Sequence, residues 1–465
     1  MVFSSALFLI YFFPVFFIVY FLFPNHLKNL WALTASVLFY LWGGSDFFLI
    51  LCISVLIDFV LTSWMDTKEG KLRQAIAVAS AASNFLLLGY FKYADFFVEN
   101  FNLILENKIT LPQVILPIGI SFFTFHKVSY VIDIYYKKCK PLKNISDFFL
   151  YILLFPQLIA GPIIRFNEIA DQILDRKNSE TWENRLRGFF RFCLGLSRKI
   201  LFANVLGKEA DRIFALGESE LTFFLAWTGI LAYTFQIYFD FAGYSDMALG
   251  LGRMMGFQFP ENFHFPYTSG SITEFWRRWH ITLGNWMRDY IYIPLGGNKV
   301  AKFQTYLNLW AVFLFSGLWH GASWTFILWG AYHGFFISLE KFFQFNVKDE
   351  AKNQFKILFT FFLVLNGWVL FRAETLSIAF RMWKAMYSPL KFGSVRADGY
   401  FVSFLILSVL FSFYPVIKSF RKFSELDFGN SGNLRLYTIV AIALFSVSLG
   451  EVLSTDFNPF IYFRF

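Results

Sequence analysis

Apolar residues run along this chain in long blocks broken by short polar loops. Stretches without Asp, Glu, Lys or Arg recur at 1–27, 29–45, 74–91, 111–126, 149–164, 221–239, 304–339, 357–371, 399–417 and 436–450. A helix needs about 20 apolar residues to cross a hydrocarbon core. The runs are continuous, not alternating, so a closed β-barrel is excluded. The pattern predicts an all-α, polytopic transmembrane protein of roughly ten to twelve segments, spread over 1–465 as a single integral-membrane domain. The opening "MVFSSALFLIYFFPVFFIVYFLF" lacks a basic start and a cleavage site, and reads as an uncleaved first span.

Polar breaks add detail. "FLYILLFPQLIAGPII" (149–164) carries two prolines and a glycine between basic stretches and predicts a re-entrant hairpin. From 239 to 304 the chain becomes amphipathic and rich in Arg, Trp and Tyr, which predicts short helices lying in the membrane interface. Ser271 predicts a helix beginning near Ile272, with Glu274 completing a capping box.

Composition agrees. Of 465 residues 57% are hydrophobic and 16% charged, with 67 phenylalanines, against about 25% charged in soluble domains. The net charge of +9 resides in loops and is read as cytoplasmic positive charge, with a lipid bilayer and no nucleic acid as partner. The loop at 65–74 holds three basic residues, that at 137–143 four, and the stretch from Arg165 to Lys199 eight. This places those loops in the cytoplasm and the N-terminus outside it. Cys52, Cys139 and Cys193 have no ligand-like spacing.

Candidate chemistry centres on histidines. His320 lies in "GLWHGASW", inside the uncharged block 304–339. Gly317 and Gly321 permit close approach, and Trp319 and Trp324 offer aromatic walls. An imidazole there is a natural proton acceptor for a hydroxyl nucleophile. The plainer alternative is a neutral histidine bridging two helices. His280 lies in "EFWRRWHITLGNW", where Trp276, Arg277 and Arg278 make a candidate binding site for a phosphate-bearing donor, with Asn285 and Arg288 beyond. An interface anchor pair is the alternative for the two arginines. His126 and His264 receive no role, and His333 reads as packing. Asp240 and Asp246 either orient the histidines or pair Arg253, with the structural pairing as default. No histidine set has metal-ligand spacing and no GxSxG elbow occurs, so neither a metal nor a serine nucleophile is read.

Seven stretches in order carry a resemblance: the N-terminal block, "LPIGISFFTFHKVSYVIDIYY", "FPQLIAGPIIRF", "QIYFDFAGYSDMALGLGRMMGF", "FWRRWHITLGNWMRDYIYIPLGG", "GLWHGASWTFILWGAYHG" and "NGWVLFRAETL". With these the chain resembles the membrane-bound O-acyltransferases (MBOAT), in the bacterial branch that serves alginate O-acetylation. The resemblance implies helices ringing a funnel or tunnel, His320 as catalytic histidine and His280 as the second functional one. It implies acyl transfer from a cytoplasmic thioester, acetyl-CoA or another acyl donor, to a cell-envelope or secreted polysaccharide. No cofactor is expected. An extracytoplasmic acetyltransferase is the expected protein partner, and the bacterial inner membrane the expected location. D-alanyl transfer to teichoic acid and a non-catalytic lipid or acyl transporter stand as alternatives. The final aromatic motif, 460–465, looks like an acyl relay in which Tyr462 receives the group; an interfacial aromatic belt is its alternative.

Overall fold

The computed structural model describes residues 2–105, 108–110, 114–159, 161–344, 354–388, 398–417, 434–455 and 457. Among these the chain is helical, without strands. Five helical segments are long and apolar enough to cross a membrane: Asn25–Asp66, Gly70–Asn102, Gln354–Arg372, Gly399–Val416 and Leu434–Ser454. These five lie among the described residues, and Asn25–Asp66 holds two helices, whereas the ten to twelve segments expected from the uncharged runs refer to the whole chain. The first run gives a π-helical turn, Phe8–Phe12, leading into α1 (Phe13–Leu22). Pro14 cannot donate to the ladder, which accounts for the irregular turn beneath it.

Two compact units divide the chain: 1–192 with 247–260, and 193–246 with 261–465. The first holds α2 (Asn25–Gly44), α3 (Phe48–Asp66), α4 (Gly70–Asn102) and α5 (Ile120–Tyr135). A buried polar knot joins three of them. Lys127 of α5 lies 3.1 Å from Asp58 of α3, both 1% exposed at the side chain. From α4, Ser80 and Asn84 donate to the same carboxylate at 2.5 and 2.9 Å. Unpaired, either charge would be costly at this depth. The 149–164 stretch breaks as its prolines require, into α6 (Ile145–Leu153), the single turn α7 (Phe155–Leu158) and extended backbone at Ile159.

The second unit holds residues 261–304 of the polar segment and the long uncharged block. That block is a hairpin of α14 (Lys302–His320) and α15 (Trp324–Phe342), turning at Gly321–Ser323. The two helices touch backbone to backbone. A Cβ on Gly317 would lie 2.4 Å from the Phe326 carbonyl, and one on Gly330 would lie 2.3 Å from that of Phe313. Small residues at a membrane helix crossing permit this approach. Between the polar breaks lie α12 (Ile272–Arg278) and α13 (Ile281–Met287). As expected, Ser271 caps α12, its hydroxyl accepting from Glu274 N at 3.0 Å. The Glu274 carboxylate accepts from Gly270 N instead of from the cap residue.

The expected pairing of Asp240 or Asp246 with Arg253 is corrected. All three lie on one unbroken helix, α11 (Phe223–Met254). At 1.5 Å per residue Arg253 lies about 20 Å from Asp240 and about 10 Å from Asp246 along the axis. Asp240 instead pairs with Lys199 at 2.8 Å and Asp246 with Arg198.

Candidate active site

α12 and α13 meet at His280, a non-glycine residue in the left-handed region (φ 46°, ψ 53°). Such a conformation persists only where surroundings hold it, and it gathers at functional sites. Two backbone hydrogen bonds hold it here: Ile281 N donates to Asn262 O at 3.0 Å, and His264 N to Arg278 O at 2.9 Å. His280 is 1% exposed and packs edge-on to Phe241 at 4.6 Å. Burial lowers its pKa to about 3, so the ring is neutral at any working pH.

Beside it opens a cavity of about 510 Å³, within the range of small-molecule sites. Trp276, Arg277, His280, Asn285 and Arg288 line it, as does Ser316 of α14. These include five of the residues singled out in the sequence. Arg277 and Arg288 are exposed, whereas His280 and Ser316 are buried, so the cavity runs from a basic, accessible side to an enclosed one. Among the described residues no Asp or Glu lines it. Arg288 pairs with Asp289 at 2.7 Å, while Arg277 has neither ion-pair nor hydrogen-bond partner among the described residues. The site is therefore suited to an anion at the arginines and an apolar chain within.

Arg278 departs from expectation. It does not line the cavity, because its guanidinium is turned to Glu274 at 2.7 Å and to His264. The N-terminus of α12 is likewise taken: Glu340 of α15 accepts from Ile272 N and from Thr273 N, at 2.5 and 2.9 Å.

His320 is the last residue of α14 and 4% exposed. Its ring packs edge-on to Trp319, Trp329 and Phe371, with centroids 4.9, 5.0 and 5.1 Å away. The turn after His320 places Trp324 at the first position of α15, 52% exposed. The close-approach role of the glycines holds, since a Cβ on Gly321 would lie 2.2 Å from the Phe326 ring. Trp319 packs on both candidate histidines, its centroid 6.2 Å from that of His280. His320 does not itself line the cavity, but Ser316, one turn before it on the same helix, does. His333 is buried packing, edge-on to Trp276 and Trp329 at 5.1 Å. His126 is fully buried in α5. Tyr462 and the 460–465 motif lie outside the described residues. Among the described residues no group of three or more His, Cys, Asp or Glu side chains converges to hold a metal.

Sequence reasoning missed Ser316, Glu340 and Asn262. Ser316 had a signal, its i−4 spacing from His320. Glu340 and Asn262 act across 68 and 18 residues, so local pattern could not reveal them.

A polytopic helical protein whose histidines gather beside a basic, apolar-walled cavity is a membrane-embedded group-transfer enzyme in design. Residues 137–379 match the membrane-bound O-acyltransferase family, and the chain belongs to that family. It is a multi-pass O-acyltransferase. Among its relatives, a probable alginate O-acetylase AlgI of Pseudomonas putida is 40% identical over the whole of both chains. A peptidoglycan O-acetyltransferase of Helicobacter pylori is 37% identical over 83% of this chain and 80% of its own. A teichoic acid D-alanyltransferase of Streptococcus thermophilus is 32% identical over 47% of this chain and 55% of its own.

Proposed function

We propose that this enzyme O-acetylates a cell-envelope or secreted polysaccharide, taking the acetyl group from a cytoplasmic thioester such as acetyl-CoA and passing it across the bacterial inner membrane. The observation that carries the donor assignment is the cavity itself: Arg277, unpaired among the described residues, and Arg288 on the accessible side, and His280 and Ser316 at the enclosed one. Phosphates of the donor meet the arginines, and the thioester arm runs inward along Trp276. His320 takes the proton of an acceptor hydroxyl as the oxygen attacks the acetyl carbon and the thiolate leaves. His280 positions a reactant or polarises the carbonyl, with Asn285 beside it. The aromatic walls around His320 keep water from the thioester.

The acceptor hydroxyl belongs to Tyr462, to an extracytoplasmic acetyltransferase or to the glycan. Acetyl transfer is favoured over D-alanyl transfer because the relative named for O-acetylation of alginate aligns with the whole chain, whereas that named for teichoic acid aligns with 47% of it. A carrier that moves acyl groups without making bonds has no need of a base beside the donor cavity.

The test is polysaccharide O-acetyl content in cells carrying His320→Ala. Acetylation is lost while the variant still inserts at normal abundance. Normal acetylation in that strain overturns the assignment of His320. Tyr462→Phe abolishes acetylation if the tyrosine relays the group, and full acetylation there removes the relay.

A further inference from the structure

The hydrogen-bond network around His280 fixes which ring nitrogen carries its proton. Asn262, 1% exposed, sits at the centre. Its Oδ1 lies 3.1 Å from His280 Nδ1, 3.0 Å from Thr282 Oγ1 and 3.4 Å from Thr282 N. A backbone N–H can only donate, so the amide atom facing Thr282 is the oxygen. His280 Nδ1, facing the same oxygen, must then carry the hydrogen. A neutral imidazole has one N–H, which leaves Nε2 with a bare lone pair. Nε2 is buried and has no hydrogen-bond partner among the described residues, while the residue lines the donor cavity.

We infer that Asn262 is a positioning residue which locks His280 in the Nδ1–H form and presents Nε2 to the donor cavity as a hydrogen-bond acceptor. This rests on the donor-site reading above and narrows it. Polarising a thioester carbonyl requires a donor, and this tautomer offers none at Nε2. His280 therefore binds a hydrogen-bearing group of a reactant: an amide N–H of a pantetheine-like thioester arm, or a hydroxyl. The left-handed backbone at His280 and the two backbone bonds that tie 278–281 to 262–264 hold the ring in register with Asn262. Burial, which lowers the pKa of the ring, also favours its single-proton state.

The experiment is 15N spectroscopy of the full chain in lipid with labelled histidine, the His280 signals being assigned by their loss in His280→Asn. The wild type is expected to show a protonated Nδ1 and a bare Nε2. Asn262→Leu is expected to lose the single tautomer and to raise KM for the reactant held at Nε2 about tenfold, with kcat within about threefold. Asn262→Asp retains the acceptor oxygen and is expected to keep Nδ1–H. A wild-type ring protonated at Nε2, or an unchanged tautomer in folded Asn262→Leu, overturns the inference. The wild-type spectrum requires no turnover, so failure of the donor reading would appear separately, as absent transfer from acetyl-CoA with the tautomer intact.

Discussion

At the residue scale, the two neighbouring arginines of α12 have opposite situations. Arg278 is committed to Glu274, while Arg277 lines the cavity and has no ion-pair partner among the described residues. Loss of a charge-assisted contact costs about 1.5–3 kcal/mol, and 1.4 kcal/mol is tenfold in affinity. Arg277→Ala is therefore expected to raise KM for an acyl-CoA donor at least tenfold with little change in kcat, and Arg278→Ala to change KM far less. Steady-state kinetics on the purified variants separate the two. Ser316→Leu fills the enclosed end of the cavity one turn from His320. It is expected to abolish transfer in a protein that still folds, as judged by its elution and thermal transition in detergent. The sequence alone made Arg277, Arg288, Trp276, Asn285 and His280 legible, because Arg, Trp and His in one short polar segment are conspicuous. It could not separate Arg277 from Arg278, since side-chain direction on a seven-residue helix depends on what packs beneath it.

At the element scale, the hairpin of α14 and α15 carries His320 to its place. The uncharged block was plain in the sequence, and its two-helix character follows from a length close to two crossings. The point of the turn was not plain: Gly321 reads equally as a close-contact glycine, and it is one, against Phe326. The crossing depends on Gly330, whose added Cβ would meet backbone at 2.3 Å, whereas one on Gly334 would have 3.4 Å to its nearest neighbour. Overpacking costs about 1–3 kcal/mol. Gly330→Ala should lower the thermal midpoint measurably and disturb transfer, and Gly334→Ala should leave both close to wild type. In the first unit, the Asp58–Lys127 pair ties α3 to α5. Asp58→Leu strands a buried ammonium and should destabilise by about 3–5 kcal/mol, most of it recovered when Lys127→Met is added. A double-mutant cycle by thermal unfolding measures this. Neither residue was singled out by pattern, because a lysine and an aspartate on separate apolar helices announce no partnership.

At the scale of the whole molecule, apolar blocks and basic loops settled the class of protein, while segment boundaries escaped because prolines and π-turns interrupt runs that composition alone joins. Orientation is directly testable with a native thiol. Cys139 lies in the basic loop 137–143 and is half-buried. Burial raises its pKa, so labelling belongs at mildly alkaline pH. A membrane-impermeant maleimide is expected to label Cys139 in inverted vesicles and to leave it unlabelled in right-side-out ones; the reverse pattern contradicts the cytoplasmic placement.

The proposed transfer runs from a thioester to a hydroxyl at a histidine-dependent site. Purified protein in lipid, given labelled acetyl-CoA and an acceptor hydroxyl, should release free CoA and form acetyl ester in equal amounts, and His320→Ala should do neither. Equal release and ester formation by wild type and His320→Ala would contradict the account.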